Sequence, residues 1–402
     1  MRFRTVIFVI IMISIILNCQ KDKPTGLYDS GKESNPDPVI ESMSPPNSAL
    51  AGIVDIVING SHFSPVPENN VVYFGKTKAL VHSATENQLV VKSPNIFQDS
   101  LEVKVAVIGA MLFSNSMYYS LIRPIEEIGD FGEYDEPYVI ACDADENIYV
   151  AMRKPKRIDK ITPDGIRQPY AEISFSTPTG MKMGPNGVLY IGRKSRYLYE
   201  VQPGATEAER SFKAPGTVYD LDFSENGMIY AGGDDDALFL INPEDGSSDE
   251  VAEYEDTEIT AIRVFDGFVY VGGKETVTNK LCIWRNRILS DNSVEEKELY
   301  FDWGQKIAPD SLILSFTFSA DGDLYVGTEK SEAIIIIHPD GSHEPLYPGL
   351  LQPVANYLCW GNAEYLYVCQ HKTQYTDDGD RLYIKDIAKI NMLKSGALYF
   401  GR

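Results

Sequence analysis

The chain has 402 residues, which is enough for two or three domains that each bury a core of their own. Its 31 glycines, 23 prolines and 24 tyrosines favour strands and turns over long helices, so the composition predicts an all-β protein. The formal net charge is −22, and a surface this acidic repels phosphate backbones. We therefore expect no nucleic-acid partner.

The first 19 residues have the layout of a targeting signal. Arg2 and Arg4 precede the apolar run VIFVIIMISIIL at 6–17, and Cys19 follows shortly afterwards. This arrangement resembles a bacterial lipoprotein signal, which implies removal of the signal peptide 1–18 and acylation of Cys19. The alternative is an uncleaved membrane anchor, although the run is shorter than the roughly 20 residues of a spanning helix. Either interpretation attaches the chain to a membrane.

The residues after Cys19 predict how the protein is presented. Gln20, Lys21 and Asp22 resemble a surface-export tag of Gram-negative lipoproteins, which implies an outer-membrane lipoprotein that is exposed at the surface or faces the periplasm. Residues 19–36 are rich in Lys, Asp, Ser, Gly and Pro and contain almost nothing to bury. They are predicted to be a flexible tether between the lipid and the first domain.

Residues 37–122 carry short runs that alternate apolar and polar residues between Pro, Gly and Asn, a pattern typical of a small β-sandwich. The motifs that stand out are Pro45 after a short strand, Ile58-Asn59-Gly60 with Phe63, Val72-Tyr73-Phe74-Gly75, and the run from Val90 to Pro94. Together they resemble the IPT/TIG immunoglobulin-like domain. The resemblance implies turn glycines and core hydrophobics with no catalytic residue, and hence a spacer or interaction module.

From residue 123 onward one hairpin motif recurs, exemplified by FSADGDLYVG at 318–327. Its tyrosine recurs at Tyr149, Tyr190, Tyr230, Tyr270, Tyr325 and Tyr367. Self-similarity at about 40 residues, with one polar hairpin in each unit, is typical of four-stranded propeller blades. Residues 123–402 are therefore predicted to form a six-bladed β-propeller. Its first unit, EPYVIACDADENIYVAMRKPKRIDKITPDG, resembles the NHL repeat.

Two features of the propeller stay open at this stage. Either IEEIGDF at 125–131 or ALYFGR at 397–402 can supply the outer strand of the last blade. Cys359 and Cys369 can form a disulfide if a hairpin turns between Gly361 and Glu364, whereas buried free thiols are the simpler interpretation for every cysteine beyond Cys19.

Ligands of a propeller are expected at one mouth of its channel, where the loops that enter the inner strands meet the loops that join second and third strands. The polar side chains of those loops are the candidate ligand-binding residues: Glu136, Arg153, Arg193, Asp220, Asp310, Asn356 and His371. The alternative for each is an ordinary solvated side chain.

Two classes of function fit this arrangement. The first is a non-catalytic binding protein of the cell envelope without a cofactor, held by its lipid anchor, whose partner is a glycan, a peptide or another envelope protein. The second is suggested by Glu136 before Pro137, which partly resembles the first metal-ligand position of gluconolactonase-like propellers. That resemblance implies a hydrolase or lactonase in which Glu136, Asp310 and Asn356 hold Ca²⁺ or Mg²⁺.

Overall fold

The computed structural model describes residues 34–375, 378–379 and 381–400. The predicted signal peptide, Cys19 and most of the predicted tether lie outside the described residues. Nearly all of the regular secondary structure of the described residues is strand, and the chain divides into two compact units between Arg123 and Pro124. None of its helices is long and apolar enough to cross a membrane.

The N-terminal unit is a sandwich of two sheets. The four-stranded sheet contains, in spatial order, Val39–Ser44, Asp55–Ser61, Gln88–Lys92 and Val81–Ala84. The five-stranded sheet contains, in spatial order, Ser48–Leu50, Met117–Ile122, Gln98–Val107, Asn70–Phe74 and Thr77–Ala79. A 3₁₀ turn at Pro67–Asn69 precedes the strand that begins at Asn70.

The alternating pattern of the sandwich strands has a direct physical reason, because successive side chains point to opposite faces of a sheet. In Asp55–Ser61, Ile56 and Ile58 are fully buried while their neighbours face outward. Gly60 lies so close to the carbonyl oxygen of Val39 that a Cβ atom would collide with it. This close approach explains why that position requires glycine.

The C-terminal unit contains six four-stranded antiparallel sheets, which we number as blades one to six. Blades one to three comprise Pro137–Cys142, Ile148–Met152, Arg157–Ile161 and Arg167–Glu172; then Gly180–Met183, Leu189–Gly192, Ser195–Val201 and Glu209–Val218; then Asp220–Phe223, Ile229–Gly232, Ala237–Ile241 and Ser248–Glu253. Blades four to six comprise Thr257–Phe265, Phe268–Glu275, Leu281–Arg287 and Glu298–Phe301; then Ser315–Phe318, Leu324–Gly327, Ile334–Ile337 and His343–Pro345; then Ala355–Trp360, Tyr365–Tyr375, Arg381–Asn391 and Ile125–Ile128.

The six sheets form a closed ring. The first strand of each sheet packs against the first strand of the next, and the first strand of blade six packs against that of blade one. These first strands are therefore the inner strands that surround the channel of a β-propeller. The all-β prediction of a sandwich followed by a six-bladed propeller is confirmed.

The repeated tyrosines are buried in the second strand of every blade, as their regular spacing indicates. In blades two to five, a glycine two residues after the tyrosine allows neighbouring blades to approach closely. At Gly327, an added Cβ would lie 2.5 Å from the carbonyl oxygen of Ala355 on the next inner strand. Blade four carries a short α-helix, Trp303–Lys306, before blade five begins. The remaining short helix is the 3₁₀ turn Pro185–Gly187 in blade two.

The outer strand of blade six comes from the start of the unit. Ile125 pairs with Ile390 and Ile128 pairs with Ile387 in an antiparallel ladder. Of the two segments that the sequence left open, IEEIGDF therefore closes the ring.

The described part of ALYFGR covers the lower end of the channel, opposite the end at which the inner strands begin. The backbone N–H of Ala397 donates to the carbonyl oxygen of Phe318, and the hydroxyls of Tyr399 and Thr317 are hydrogen-bonded. Phe400 packs on Phe223 with ring centroids 5.9 Å apart. The segment thus spans from blade five to blade three beneath the channel.

The four cysteines that the structure describes form no disulfide with one another. A hairpin does turn near Gly361, but its register places Cys359 opposite Tyr367 and Cys369 opposite Tyr357. The suggested disulfide is therefore wrong, because the two cysteines do not form a cross-strand pair.

The channel between its two ends is filled by charged and polar side chains. Arg263 is fully buried and donates from Nη1 to Oδ2 of Asp220 at 2.8 Å, while the hydroxyl of Tyr357 donates to Oδ1 of Asp220 at 2.9 Å. Further down, Nζ of Lys182 lies 3.6 Å from Oδ1 of Asp222. Burial, and then repulsion from Arg263, lower the pKa of Lys182 to about 8.

We expect Asp220→Asn to destabilise the propeller strongly, because it removes the charge that balances the buried guanidinium of Arg263. Loss of one partner of a buried ion pair costs about 3–5 kcal/mol of unfolding free energy. Urea unfolding can be followed by tryptophan fluorescence, since all three tryptophans lie in the C-terminal unit, at Trp284, Trp303 and Trp360.

Tyr357→Phe is the matched control for this measurement. It removes the hydrogen bonds of the hydroxyl with Asp220 and with the backbone N–H of Met181 but keeps the ion pair, so we expect a loss of about 2 kcal/mol. An Asp220→Asn protein as stable as Tyr357→Phe would contradict the assigned role of the pair.

Candidate functional site

All six blades contribute to one cavity of about 240 Å³ at the mouth of the channel. The cavity is lined by Tyr138, Val139, Thr179, Lys194, Tyr219, Glu258, Thr260, Gly273, Lys274, Leu281, Leu312, Ile313, Leu314, Asn356 and Tyr357. Most of these residues stand at or just before the upper end of an inner strand. The wall is therefore mainly aromatic and aliphatic, with a few amide, hydroxyl and charged groups.

The inner part of the cavity is held rigid by the channel network. Tyr357 is buried, and its hydroxyl accepts from the backbone N–H of Met181 at 3.2 Å while donating to Asp220. Asp220 itself is fully buried and paired with Arg263. The structure thus places this predicted ligand-binding residue below the cavity, where its carboxylate supports Tyr357. Its partner Arg263 comes from the next blade.

Two other predicted carboxylates at the mouth are each engaged by a lysine. Oε1 of Glu136 lies 3.1 Å from Nζ of Lys154, and Oδ2 of Asp310 lies 2.9 Å from Nζ of Lys330. The Asp310 side chain is largely exposed, so this contact is a surface ion pair of small energetic value. Neither residue is among those that line the cavity.

The two predicted arginines both lie against aromatic rings. The guanidinium of Arg153 is 5.0 Å from the ring centroid of Tyr138. Arg193 lies beside Phe175 and Tyr199, at 5.2 and 5.7 Å, and donates to the hydroxyl of Tyr199 at 3.2 Å. Such cation–π contacts hold the guanidinium groups in place beside the mouth.

The last two predicted residues are in contact with each other. The side-chain amide of Asn356, which lines the cavity, lies 3.3 Å from Nε2 of His371. Burial, and then the positive charge of Lys385, lower the pKa of His371 to about 4. His371 is thus neutral at pH 7, and its Nε2 can accept the hydrogen bond that the Asn356 amide donates.

The metal-site alternative concerns Glu136, Asp310 and Asn356. Glu136 contacts Lys154, Asp310 contacts Lys330 and Asn356 contacts His371, so its three side chains have three different partners. In the described ranges, no group of three or more His, Cys, Asp or Glu side chains is arranged to hold a metal ion.

Several residues of the cavity were not predicted from the sequence. Tyr138 and Tyr219 stand close to Glu136 and Asp220 at the entries of inner strands. The sequence prediction took only polar side chains at these entries as candidates, and it therefore missed both tyrosines. The hydroxyl of Tyr219 donates to Asp234 at 2.8 Å, and the ammonium of Lys194 lies 4.6 Å from its ring centroid. Burial and the nearby Asp234 raise the pKa of Tyr219, so its hydroxyl stays protonated. The sequence signal that could have identified these cavity residues is an aromatic side chain at the entry of an inner strand.

Comparison with known proteins supports both parts of the fold. The IPT/TIG domain family model matches residues 38–121. Residues 38–121 form an IPT/TIG domain. The predicted resemblance of the sandwich is therefore confirmed. A search of curated proteins found no match for the chain.

Several solved structures are similar in fold. A putative phosphatase from Bacteroides thetaiotaomicron has a TM-score of 0.57 at 12% identity and covers 92% of this chain and 98% of its own. An auxiliary nutrient binding protein from the same organism has a TM-score of 0.51 at 12% identity, covering 89% and 98%. A gluconolactonase from Xanthomonas campestris has a TM-score of 0.50 at 12% identity, covering 67% and 89%. At these identities the likeness extends to the fold alone.

We expect His371→Gln to reduce the acid sensitivity of the propeller. The pKa of His371 is about 4 in the folded protein against an ordinary 6.5, so between these pH values the unfolded chain binds a proton that the folded chain does not. The stability of the unmodified protein therefore falls as the pH drops through this window, and glutamine removes that contribution. Urea unfolding at pH 7 and pH 4.5, followed by tryptophan fluorescence, measures the difference.

The exposed His343 provides a matched control, since His343→Gln is expected to lose as much stability on acidification as the unmodified protein. Equal acid sensitivity of His371→Gln and the unmodified protein would show that His371 is not held neutral by its surroundings.

Proposed function

We propose that this protein is a non-catalytic binding protein of the cell envelope whose propeller mouth binds a glycan. The observation that carries the proposal is the cavity to which all six blades contribute. Small-molecule sites are typically concave and mostly apolar, with a few convergent polar groups. This cavity has that composition, and its rigid inner part gives a ligand a fixed surface to bind.

A glycan fits the chemistry of the wall. Sugar rings present apolar C–H faces that pack on aromatic side chains, and Tyr138 and Tyr219 provide such rings. Sugar hydroxyls donate and accept hydrogen bonds, which Thr179, Thr260 and Asn356 can match. The fold similarity to a protein described as auxiliary nutrient binding agrees with a role in capture, although it establishes the fold alone.

The envelope location rests on the N-terminal sequence. In this proposal Cys19 carries the lipid, residues 19–36 act as the tether, and the IPT/TIG domain is a spacer or interaction module between the anchor and the propeller. The mouth can then meet a ligand at the cell surface or in the periplasm.

Tyr219→Ala is the direct test of the binding site. Isothermal titration calorimetry against a panel of neutral and acidic oligosaccharides should find a binder, and this variant should weaken its binding about tenfold or more, as loss of an aromatic anchor does. Tyr118→Ala removes an exposed tyrosine from the IPT/TIG domain and should leave the affinity unchanged. Binding should also survive EDTA, because the proposed site uses no metal. A panel without a binder, or equal effects of both variants, would contradict the proposal.

Cys19→Ser tests the anchor. A lipidated Cys19 predicts that this variant moves from the membrane fraction to the soluble fraction or keeps its signal peptide. Fractionation followed by mass spectrometry of the N-terminus distinguishes these outcomes. Normal cleavage and membrane retention of the serine variant would eliminate the lipoprotein interpretation.

A further inference from the structure

Two cations gather around one tyrosine at the edge of the mouth. The guanidinium of Arg153 and the ammonium of Lys385 each lie 5.0 Å from the ring centroid of Tyr138. Arg153 belongs to blade one and Lys385 to the third strand of blade six, so the contact forms across the closure of the ring. Tyr138 itself lines the cavity, which places the two charges beside it.

The local charge around this ring is positive. Burial lowers the pKa of Lys385, and the charge of Arg153 lowers it further. Glu136 acts in the opposite direction, but its carboxylate is 3.1 Å from Lys154. Among these residues, three cations thus accompany one carboxylate. Arg153 and Lys385 repel each other in a half-buried position, and a bound anion would relieve that repulsion.

Within the described residues, the two side chains have few polar partners. Nε of Arg153 donates to the carbonyl oxygen of Ser176 at 3.3 Å, and no hydrogen bond joins its terminal nitrogens to another described residue. Within the part of the chain that the structure describes, neither Arg153 nor Lys385 lies within 4 Å of a carboxylate oxygen. The planar fork of a guanidinium matches the two oxygens of a carboxylate, and a lysine adds a point charge.

Asn356 links this charged edge to the cavity. Its amide lines the cavity and contacts His371, which lies directly opposite Lys385 in the strand register. A sugar in the cavity is therefore adjacent to the two cations. We propose that Arg153 and Lys385 bind the carboxylate of a uronic-acid residue, so that the ligand of the mouth is an acidic glycan. This inference rests on the proposed function and narrows its ligand class.

The test compares uronate oligosaccharides with their methyl esters, which keep the sugar shape but lose the charge. Calorimetry on the full chain uses oligomers of galacturonate, glucuronate and mannuronate, each as free acid and as ester, together with a sulfated oligosaccharide. At least one free acid should bind about tenfold or more tightly than its ester. Arg153→Gln and Lys385→Gln should each remove most of that preference while leaving the affinity for the ester within about twofold.

Arg210 provides the matched control, since its guanidinium lies 4.6 Å from the ring centroid of Tyr197 on the outer part of blade two. Arg210→Gln should preserve the preference for the acid. Equal binding of acid and ester, tighter binding of the sulfated sugar than of every uronate, or equal weakening of acid and ester by Arg153→Gln would each overturn the inference.

The design separates failure of this inference from failure of the proposed function. If neutral sugars or esters bind as tightly as the free acids and Tyr219→Ala weakens them, the glycan-binding mouth stands while the carboxylate subsite is refuted. If no sugar of either kind binds, both are refuted.

Discussion

The pairing of Ile125–Ile128 with the last long strand is the contact on which the propeller depends. It joins the beginning of the unit to its end, so that blade six has four strands and the ring cannot open without breaking a ladder. An unpaired strand there would leave backbone N–H and carbonyl groups exposed as an edge. Closure also brings blade one against blade six, and only then does Tyr138 meet Lys385. The mouth of the channel therefore takes its shape only when the ring of blades is closed.

A filled channel explains why the site is confined to one mouth. Arg263, Asp220 and Tyr357 occupy the axis below the cavity, and the C-terminal residues cover the opposite end. Buried polar networks are costly when incomplete, but they fix side-chain positions when satisfied. Tyr357 is held by Asp220 from one direction and by Met181 from another. A ligand therefore meets a surface whose shape is set before binding, which lowers the entropic cost of association.

The sequence predicted the features that recur in every blade and missed those that occur only once, such as the closing strand and the Asp220–Arg263 pair. Six tyrosines at regular spacing were enough to count the blades, because each blade repeats the same packing problem. The sequence did not determine which segment closes the ring. Residues 125–131 and 397–402 both have suitable strand patterns, and only their positions in space distinguish them. Asp220 was assigned to the ligand because its partner lies 43 residues away on the next blade. Opposite charges about one repeat apart are the signal for such a pair, since one repeat moves the chain to the neighbouring inner strand.

The charge of the whole molecule and the charge of its mouth act over different distances. At physiological ionic strength the Debye length is about 8 Å, so most of the acidic groups behind the formal −22 are screened from a ligand in the cavity. Arg153 and Lys385 flank Tyr138 at the edge of the cavity and are partly shielded from solvent, where electrostatic attraction is stronger. The acidic surface therefore opposes long, densely charged polymers during approach, whereas the proposed subsite would attract a single carboxylate once it is near. The large negative net charge therefore argues against long polyanions, but it does not exclude a ligand that carries a single carboxylate.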